Sequence, residues 1–340
     1  MTNRRWLLRR RPEGHLERGD FELVEAEAPR PGPGQLLVRN IYCSLDPAMR
    51  RWLDENSYAG PMSLGDVVRC VAIGEVIESD APGFAPGDKV IAMNALEDYS
   101  VTTPGGFTRR IDPAANVPLP MHLSLFGPIG MTAYVSLTEL GKPKPGETVL
   151  VSGAAGAVGS LVGQIARNLG CRVVGVAGGP VKCERLLEEF GFDAAIDYKG
   201  KDLAALTAAI AETCPEGVDI YYDNVGGIVL DAALANINHF ARLVECGMIS
   251  GYNATEPMPG PTNLWNLIAR TATMSGFLGR HFTDKFPEAV AALRRWHAEG
   301  RITARAHVDV GLESFPDSMQ RLFTGDHDGK LMLRIDGGTD

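Results

Sequence analysis

The stretch Val149-Leu150-Val151-Ser152-Gly153-Ala154-Ala155-Gly156-Ala157-Val158-Gly159 decides the fold. Its first three residues, apolar and partly β-branched, predict a buried strand. Glycines stand at 153, 156 and 159, and apolar residues at Val158, Leu161, Val162, Ile165, Ala166 and Leu169 follow at helical spacing. Strand, glycine-rich turn and helix in that order form a dinucleotide-binding arrangement. Gly153 permits the tight turn, Gly156 lets a pyrophosphate approach the backbone, and Gly159 lets helix and strand pack closely. The helix N–H groups and dipole then face the phosphates. Gly153, Ala155, Gly156, Ala157, Val158 and Gly159 are therefore the candidate phosphate-binding residues. The spacing is G-x-x-G-x-x-G rather than G-x-G-x-x-G, so a plain turn with helix-packing glycines stays open as the alternative.

Working outward, strands and helices alternate from residue 127 onward. Strands are expected over 172–177, 194–197, 218–223 and 241–246, and helices over 182–190, 203–211 and 229–237. That order predicts an α/β domain with a parallel sheet covered on both faces. A helix over 285–298 puts Phe286, Ala289, Val290, Leu293 and Trp296 on one face, as core. Upstream, to about residue 120, short apolar runs alternate with turns such as Pro31-Gly32-Pro33-Gly34 and Pro86-Gly87-Asp88. This is an all-β layout, read as a small barrel. The tail returns to strand, helix and strand. Residues 1–125 and 301–340 are thus expected to build one catalytic domain, with the dinucleotide domain, 126–300, inserted between them. Ligands are expected in the cleft, outside the carboxyl ends of the parallel strands.

The chain has 340 residues, 45% hydrophobic and 22% charged, as expected of a soluble globular protein of two domains. A net charge of -9 disfavours nucleic acid or an anionic membrane as the partner. The arginines at 4, 5, 9, 10 and 11 lack the apolar core of a signal peptide behind them, and no membrane span is read. Six scattered cysteines without a C-x-x-C pair argue against a disulfide framework and point to a reduced, cytoplasmic compartment.

The second strand ends Val176-Ala177-Gly178-Gly179, without the acid that NAD binding expects there. Lys182 and Arg185 follow, and either can offset a 2′-phosphate charge, which favours NADP. Two solvent-facing helix residues remain the other reading.

These residues carry a family resemblance. The chain resembles the zinc-independent medium-chain dehydrogenases/reductases, in particular the alkenal/one oxidoreductase branch. The likeness runs over nearly the whole chain. It rests on Leu45-Asp46-Pro47 with Met49-Arg50, Pro82-Gly83-Phe84-Ala85-Pro86-Gly87-Asp88, and Gly130-Met131-Thr132-Ala133-Tyr134. It continues through the glycine loop, Asp223-Asn224-Val225-Gly226-Gly227, Ile249-Ser250-Gly251-Tyr252-Asn253 and Gly329-Lys330. The resemblance implies a Rossmann domain inserted in a GroES-like β-barrel domain, NADP(H) as cofactor, and a homodimer. It implies that Lys182 binds the 2′-phosphate, with Tyr198 and Gly178 at the same end. Met131 and Thr132 are implied at the nicotinamide face, Asn224 and Gly226 in a loop approaching the cofactor, and Tyr252 over the reacting end of the substrate. Two positions depart from the family. Ala48 replaces a pocket tyrosine, leaving Tyr58 as a possible substitute, and His327 replaces an asparagine that touches the nicotinamide half. His327 can donate a similar hydrogen bond or alter the cofactor affinity.

Medium-chain alcohol dehydrogenases hold a catalytic zinc with Cys, His and usually a carboxylate. Cys43 precedes Asp46 as such a cysteine would, but Gly65-Asp66-Val67 stands where Gly-His-Glu is needed. His122 and His239 lack partners at metal-ligand spacing. No metal is expected, and Cys43 is read as a small buried residue. Without a Lewis acid, reduction of an activated C=C bond is more accessible than alcohol oxidation. Hydride from NADPH would reach the β-carbon of an enal or enone, and the charge would move to oxygen as an enolate. A phenol with an unperturbed pKa near ~10 is a fitting donor to that oxygen. Tyr252 is the candidate, aided by a cofactor ribose hydroxyl as in the family, with water as a source of the α-proton. A Tyr252 that merely caps the pocket stays open. So do two other functions: a quinone reductase, and an NADPH-binding protein without turnover. The run Met274-Ser275-Gly276-Phe277-Leu278 is read as an edge strand able to pair across a two-fold axis.

Overall fold

The computed structural model describes residues 1–112 and 117–335. They fall into two units, Met1–Leu123 with Ala306–Asp340, and Ser124–Arg305. The first unit opens with β1 (Thr2–Leu8), paired antiparallel with β2 (Phe21–Glu27). The arginines hid β1 from the sequence reading. In the structure Asn3, Trp6 and Leu8 are buried, while Arg4 turns to Asp98 at 2.9 Å. Then come β3 (Leu36–Ser44), α1 (Ala48–Trp52), β4 (Arg69–Ser79), β5 (Lys89–Ala95), β6 (Tyr99–Thr102) and β7 (Arg109–Arg110).

The second unit begins with α2 (Pro128–Ser136) and β8 (Thr148–Val151). It continues with α3 (Ala157–Asn168), β9 (Arg172–Ala177), α4 (Pro180–Glu188), β10 (Ala194–Asp197), α5 (Leu203–Thr213) and β11 (Val218–Asp223). It ends with α6 (Gly227–Leu234), β12 (Ile237–Glu245), α7 (Asn266–Ala269), β13 (Thr273–Gly276) and α8 (Phe286–Ala298). The six strands form one parallel sheet in the order β10-β9-β8-β11-β12-β13. This is a doubly wound Rossmann sheet. Its strand order reverses between β8 and β11, so a crevice opens at their carboxyl ends. β8 is buried at all four positions, as a strand covered on both faces must be.

The chain returns to the first unit as β14 (Ala306–Val310), α9 (Phe315–Thr324) and β15 (Lys330–Arg334). The seven-stranded sheet there runs β14-β15-β3-β4-β5-β7, with β6 also paired to β3. One flank of β3 serves two partners: residues 36–39 pair with β6, and residues 42–44 pair with β15. That shared flank stitches the tail onto the amino-terminal strands and gives an open, barrel-like β layer. Trp6, Leu45, Met49, Phe315, Met319 and Leu331 share its core. Each such side chain contributes roughly 1.5–3 kcal/mol by leaving water.

Three expected boundaries shift for physical reasons. α4 starts at Pro180, two residues before the expected Lys182, because proline at the first helical position is already set for the helix. α6 stops at Leu234, and β12 starts at Ile237 rather than 241. The register between β11 and β12 jumps from Val218↔Ile237 to Ile220↔Arg242, and Phe240 in that bulge has φ 62°. The bulge interrupts the alternation that marks a strand. On α8, Ala289, Leu293 and Trp296 are buried as expected, with Ala292 beside them, while Phe286 and Val290 are half-buried. Among the described residues no helix is long and apolar enough to cross a membrane.

Candidate cofactor and active site

The glycine loop lies at the switch point of the parallel sheet. After β8, Gly153 takes φ 56°, a left-handed conformation that side chains resist, and its carbonyl accepts the Gly156 N–H at 3.0 Å. The Ala154 N–H binds the Val176 carbonyl of β9 at 3.0 Å, which pins the loop to the neighbouring strand. A Cβ on Gly159 would lie 2.4 Å from the Gly153 carbonyl oxygen and 2.8 Å from the Ala154 Cα. Both neighbours are backbone, so only glycine lets α3 start this close to the loop. Gly156 is the N-cap, and the N–H groups of Ala157, Val158 and Gly159 precede the first intrahelical bond, from Ser160 N–H to the Gly156 carbonyl. The residues therefore fit a pyrophosphate: a backbone cradle with no side chain to fill it, at the positive end of a helix.

Beside this loop, Asp223 at the end of β11 is fully buried. Its Oδ1 accepts from Ser152 Oγ (2.6 Å), Tyr221 Oη (2.8 Å), and the N–H groups of Val225 (2.9 Å) and Gly226 (3.0 Å). Asn224 completes the tie: its N–H donates to Ser152 Oγ at 2.8 Å and its Nδ2 to the Ser152 carbonyl at 2.7 Å. Asp223 thus joins the loop after β8 to the loop after β11. Ser136 Oγ lies 2.7 Å from Tyr222 Oη, which fixes α2, and with it the buried Met131 and the half-buried Thr132, against β11.

A second group gathers at the ends of β9 and β10. A Cβ on Gly178 would meet the Tyr198 ring at 3.1 Å and Lys199 Cε at 3.3 Å. Lys182 lies in the first turn of α4, three residues past its Gly179 N-cap. The acid nearest this end is Asp197, on β10, and its Oδ1 accepts the N–H groups of Gly179 (2.8 Å) and Lys199 (3.0 Å). Those backbone donors, Lys199 first, hold its carboxyl below the usual carboxylate range. The carboxylate is occupied with backbone while two lysines flank the glycines, an arrangement suited to a phosphate.

The Tyr252 hydroxyl accepts the Met248 N–H at 3.2 Å, and a Cβ on Gly247 would come within 3.1 Å of it. The phenol therefore stands over the stretch leaving β12, whose Gly247 N–H binds the Asp223 carbonyl at 3.1 Å. The structure thus brings Tyr252 together with Asn224 and Gly226, and Gly178 with Tyr198. His327 is in the other unit, where its Nδ1 bonds the Arg321 carbonyl at 3.0 Å, past the end of α9. Tyr58 is also there, half exposed, accepting from the Trp52 indole at 3.1 Å. Among the described residues no three His, Cys, Asp or Glu are grouped to hold a metal. Buried Cys43 faces the Ala95 carbonyl at 3.9 Å. Sequence reasoning missed Ser152, Asp223 and Lys199. The acid ending a strand beside a glycine-rich turn was a signal for Asp223; the other two depend on which strands become neighbours.

Fold and loop together define a nucleotide-dependent oxidoreductase architecture, and comparison with known proteins narrows it. Residues 4–109 match a family described as the N-terminal domain of oxidoreductase, and residues 157–295 one described as zinc-binding dehydrogenase. The NADPH-dependent curcumin reductase of Escherichia coli is 39% identical, over 98% of this chain and 97% of its own. The 2-alkenal reductase (NADP(+)-dependent) of Nicotiana tabacum is 37% identical, over 98% of each chain. The crystal structure of CurA from Vibrio vulnificus in complex with NADPH superposes with a TM-score of 0.91 at 35% identity, covering 98% of this chain and 100% of that one. The chain belongs to the medium-chain dehydrogenase/reductase family, in the branch of the alkenal, curcumin and prostaglandin reductases.

Proposed function

We propose that this protein uses NADPH to reduce the C=C bond of α,β-unsaturated aldehydes and ketones. NADPH, when bound, supplies the hydride that ends on the β-carbon. The glycine loop, from Gly153 to Gly159 with Ala155, Ala157 and Val158, holds the pyrophosphate. Gly178, Lys182, Tyr198 and Lys199 hold the 2′-phosphate. Met131, Thr132, Asn224 and Gly226 shape the nicotinamide end. A 2-alkenal reductase and a curcumin reductase among the relatives support an activated double bond as the acceptor.

The observation that carries the reading is Tyr252. Its oxygen accepts a backbone N–H, which orients the phenol and strengthens its own O–H as a donor. Placed at the substrate oxygen, that O–H stabilises the enolate charge as the β-carbon is reduced, and the α-carbon takes its proton from water. Such a donor is worth ~3 kcal/mol, or 10²–10³ in rate. Tyr252→Phe should therefore lower kcat by about 10² with an enone while NADPH affinity changes less than about twofold. Unchanged turnover would remove Tyr252 from the reaction.

The reading is tested by NADPH oxidation with a simple α,β-unsaturated ketone, repeated with NADH, with EDTA, and with a quinone in place of the ketone. Chelator-resistant, NADPH-preferring turnover to the saturated ketone is expected. Turnover with the quinone alone would make the protein a quinone reductase, and tight NADPH binding with no acceptor a non-catalytic binder. The same reading includes a cytoplasmic homodimer. All six cysteines are free thiols, and β13 is an edge strand paired on one side only, to β12. A single 36.5 kDa species in light scattering would contradict the dimer.

A further inference from the structure

Glu245 ends β12 in register with Asp223 of β11, so two acids stand side by side in the parallel sheet. Both carboxyl oxygens of Glu245 are buried, and neither has a hydrogen-bond donor among the described residues. An ionised carboxylate in that position would be uncompensated, which is the costliest state for a buried charge. A neutral one has a partner, since Asp223 Oδ2 accepts Gly226 N–H at 3.1 Å and has a lone pair to receive a proton. The groups bearing on the pair are Asp223 and Tyr221 from β11 and Cys246 next along β12. Across on β13 the aligned residue is Gly276, which brings no charge. Burial, and then Asp223, push the Glu245 carboxyl up to about 8.

We propose that Glu245 is a positioning residue: its neutral carboxyl shares its proton with Asp223, which keeps the Ser152 and Asn224–Gly227 loops in the arrangement that receives NADPH. Ionisation places a second negative charge against the hub on which both loops hang. Four donors converge on Asp223 Oδ1, so any shift of that carboxylate moves Ser152, Val225 and Gly226 together. The proposal rests on the reading that these loops hold NADPH.

The test is NADPH affinity by fluorescence titration from pH 6.5 to 9.5, for the wild type and Glu245→Gln, which keeps a donor toward Asp223 but cannot ionise. The wild-type Kd should rise about fivefold or more above pH 8, while that of Glu245→Gln changes less than about twofold. Equal pH profiles for the two proteins would overturn the proposal. Absence of NADPH binding at every pH would instead contradict the cofactor reading. Thermal unfolding then decides on Glu245 itself. With its carboxyl raised in the folded state, stability falls as pH rises from about 4.5 to about 8. Glu245→Gln should therefore melt higher than the wild type at pH 8 and alike at pH 4.5. Equal melting at both would again overturn it.

Discussion

The two ends of the proposed cofactor site are built on different principles. At the ends of β8 and β11, the loops are made of backbone hydrogen bonds around the fully buried Asp223, with a glycine, Gly159, whose Cβ would press on backbone. At the ends of β9 and β10, the working parts are lysines and a Tyr198 that is 40% exposed. In the proposed function the first end takes a pyrophosphate that every dinucleotide carries, and packing fixes it. In the same proposal the second takes the one phosphate that separates NADP from NAD, for which a few surface charges are enough. Shape is costly to change and charge is cheap to change.

Four substitutions test that contrast. Asp223→Ala strands donors from Ser152, Tyr221, Val225 and Gly226, and should cost about 3 kcal/mol of stability and abolish measurable NADPH binding. A wild-type melting curve for that variant would show that the hub does not hold the buried end. Gly159→Ala should cost about 2 kcal/mol, because its Cβ meets two backbone atoms that cannot step aside. Chemical denaturation reads this, and a neutral result would mean that α3 moves more easily than its packing implies. At the exposed end, Lys182→Ala and Lys199→Ala should each weaken NADPH about fivefold at low salt and less at high salt. Neither should change NADH affinity or the melting temperature. A comparable loss with NADH would show that the lysines bind something other than the 2′-phosphate.

What was legible in the sequence follows the same division. The loop after β8 was readable because its glycines and the spacing of Leu161, Ile165 and Leu169 lie within one continuous stretch. The alternation of strands and helices around it was legible, apart from the start of β12, where the bulge at Phe240 breaks the pattern. β1 was hidden by its arginines, of which Arg4 pairs with Asp98 across some ninety residues of chain. Tyr252 was proposed through family resemblance, and Lys182 also from the acid-free end of the second strand. Lys199 was not, because its nearness to Gly178 depends on how β10 lies beside β9. The Asp223–Glu245 pair was invisible for the same reason: twenty-two residues of sequence separate two side chains that strand register makes neighbours.

The measurement that tests the central claim most directly is the fate of the label from NADPH deuterated at C4, used with an α,β-unsaturated ketone. Mass spectrometry and NMR of the product should find the saturated ketone with deuterium on the β-carbon. Deuterium on the former carbonyl carbon, in an allylic alcohol, would contradict the account.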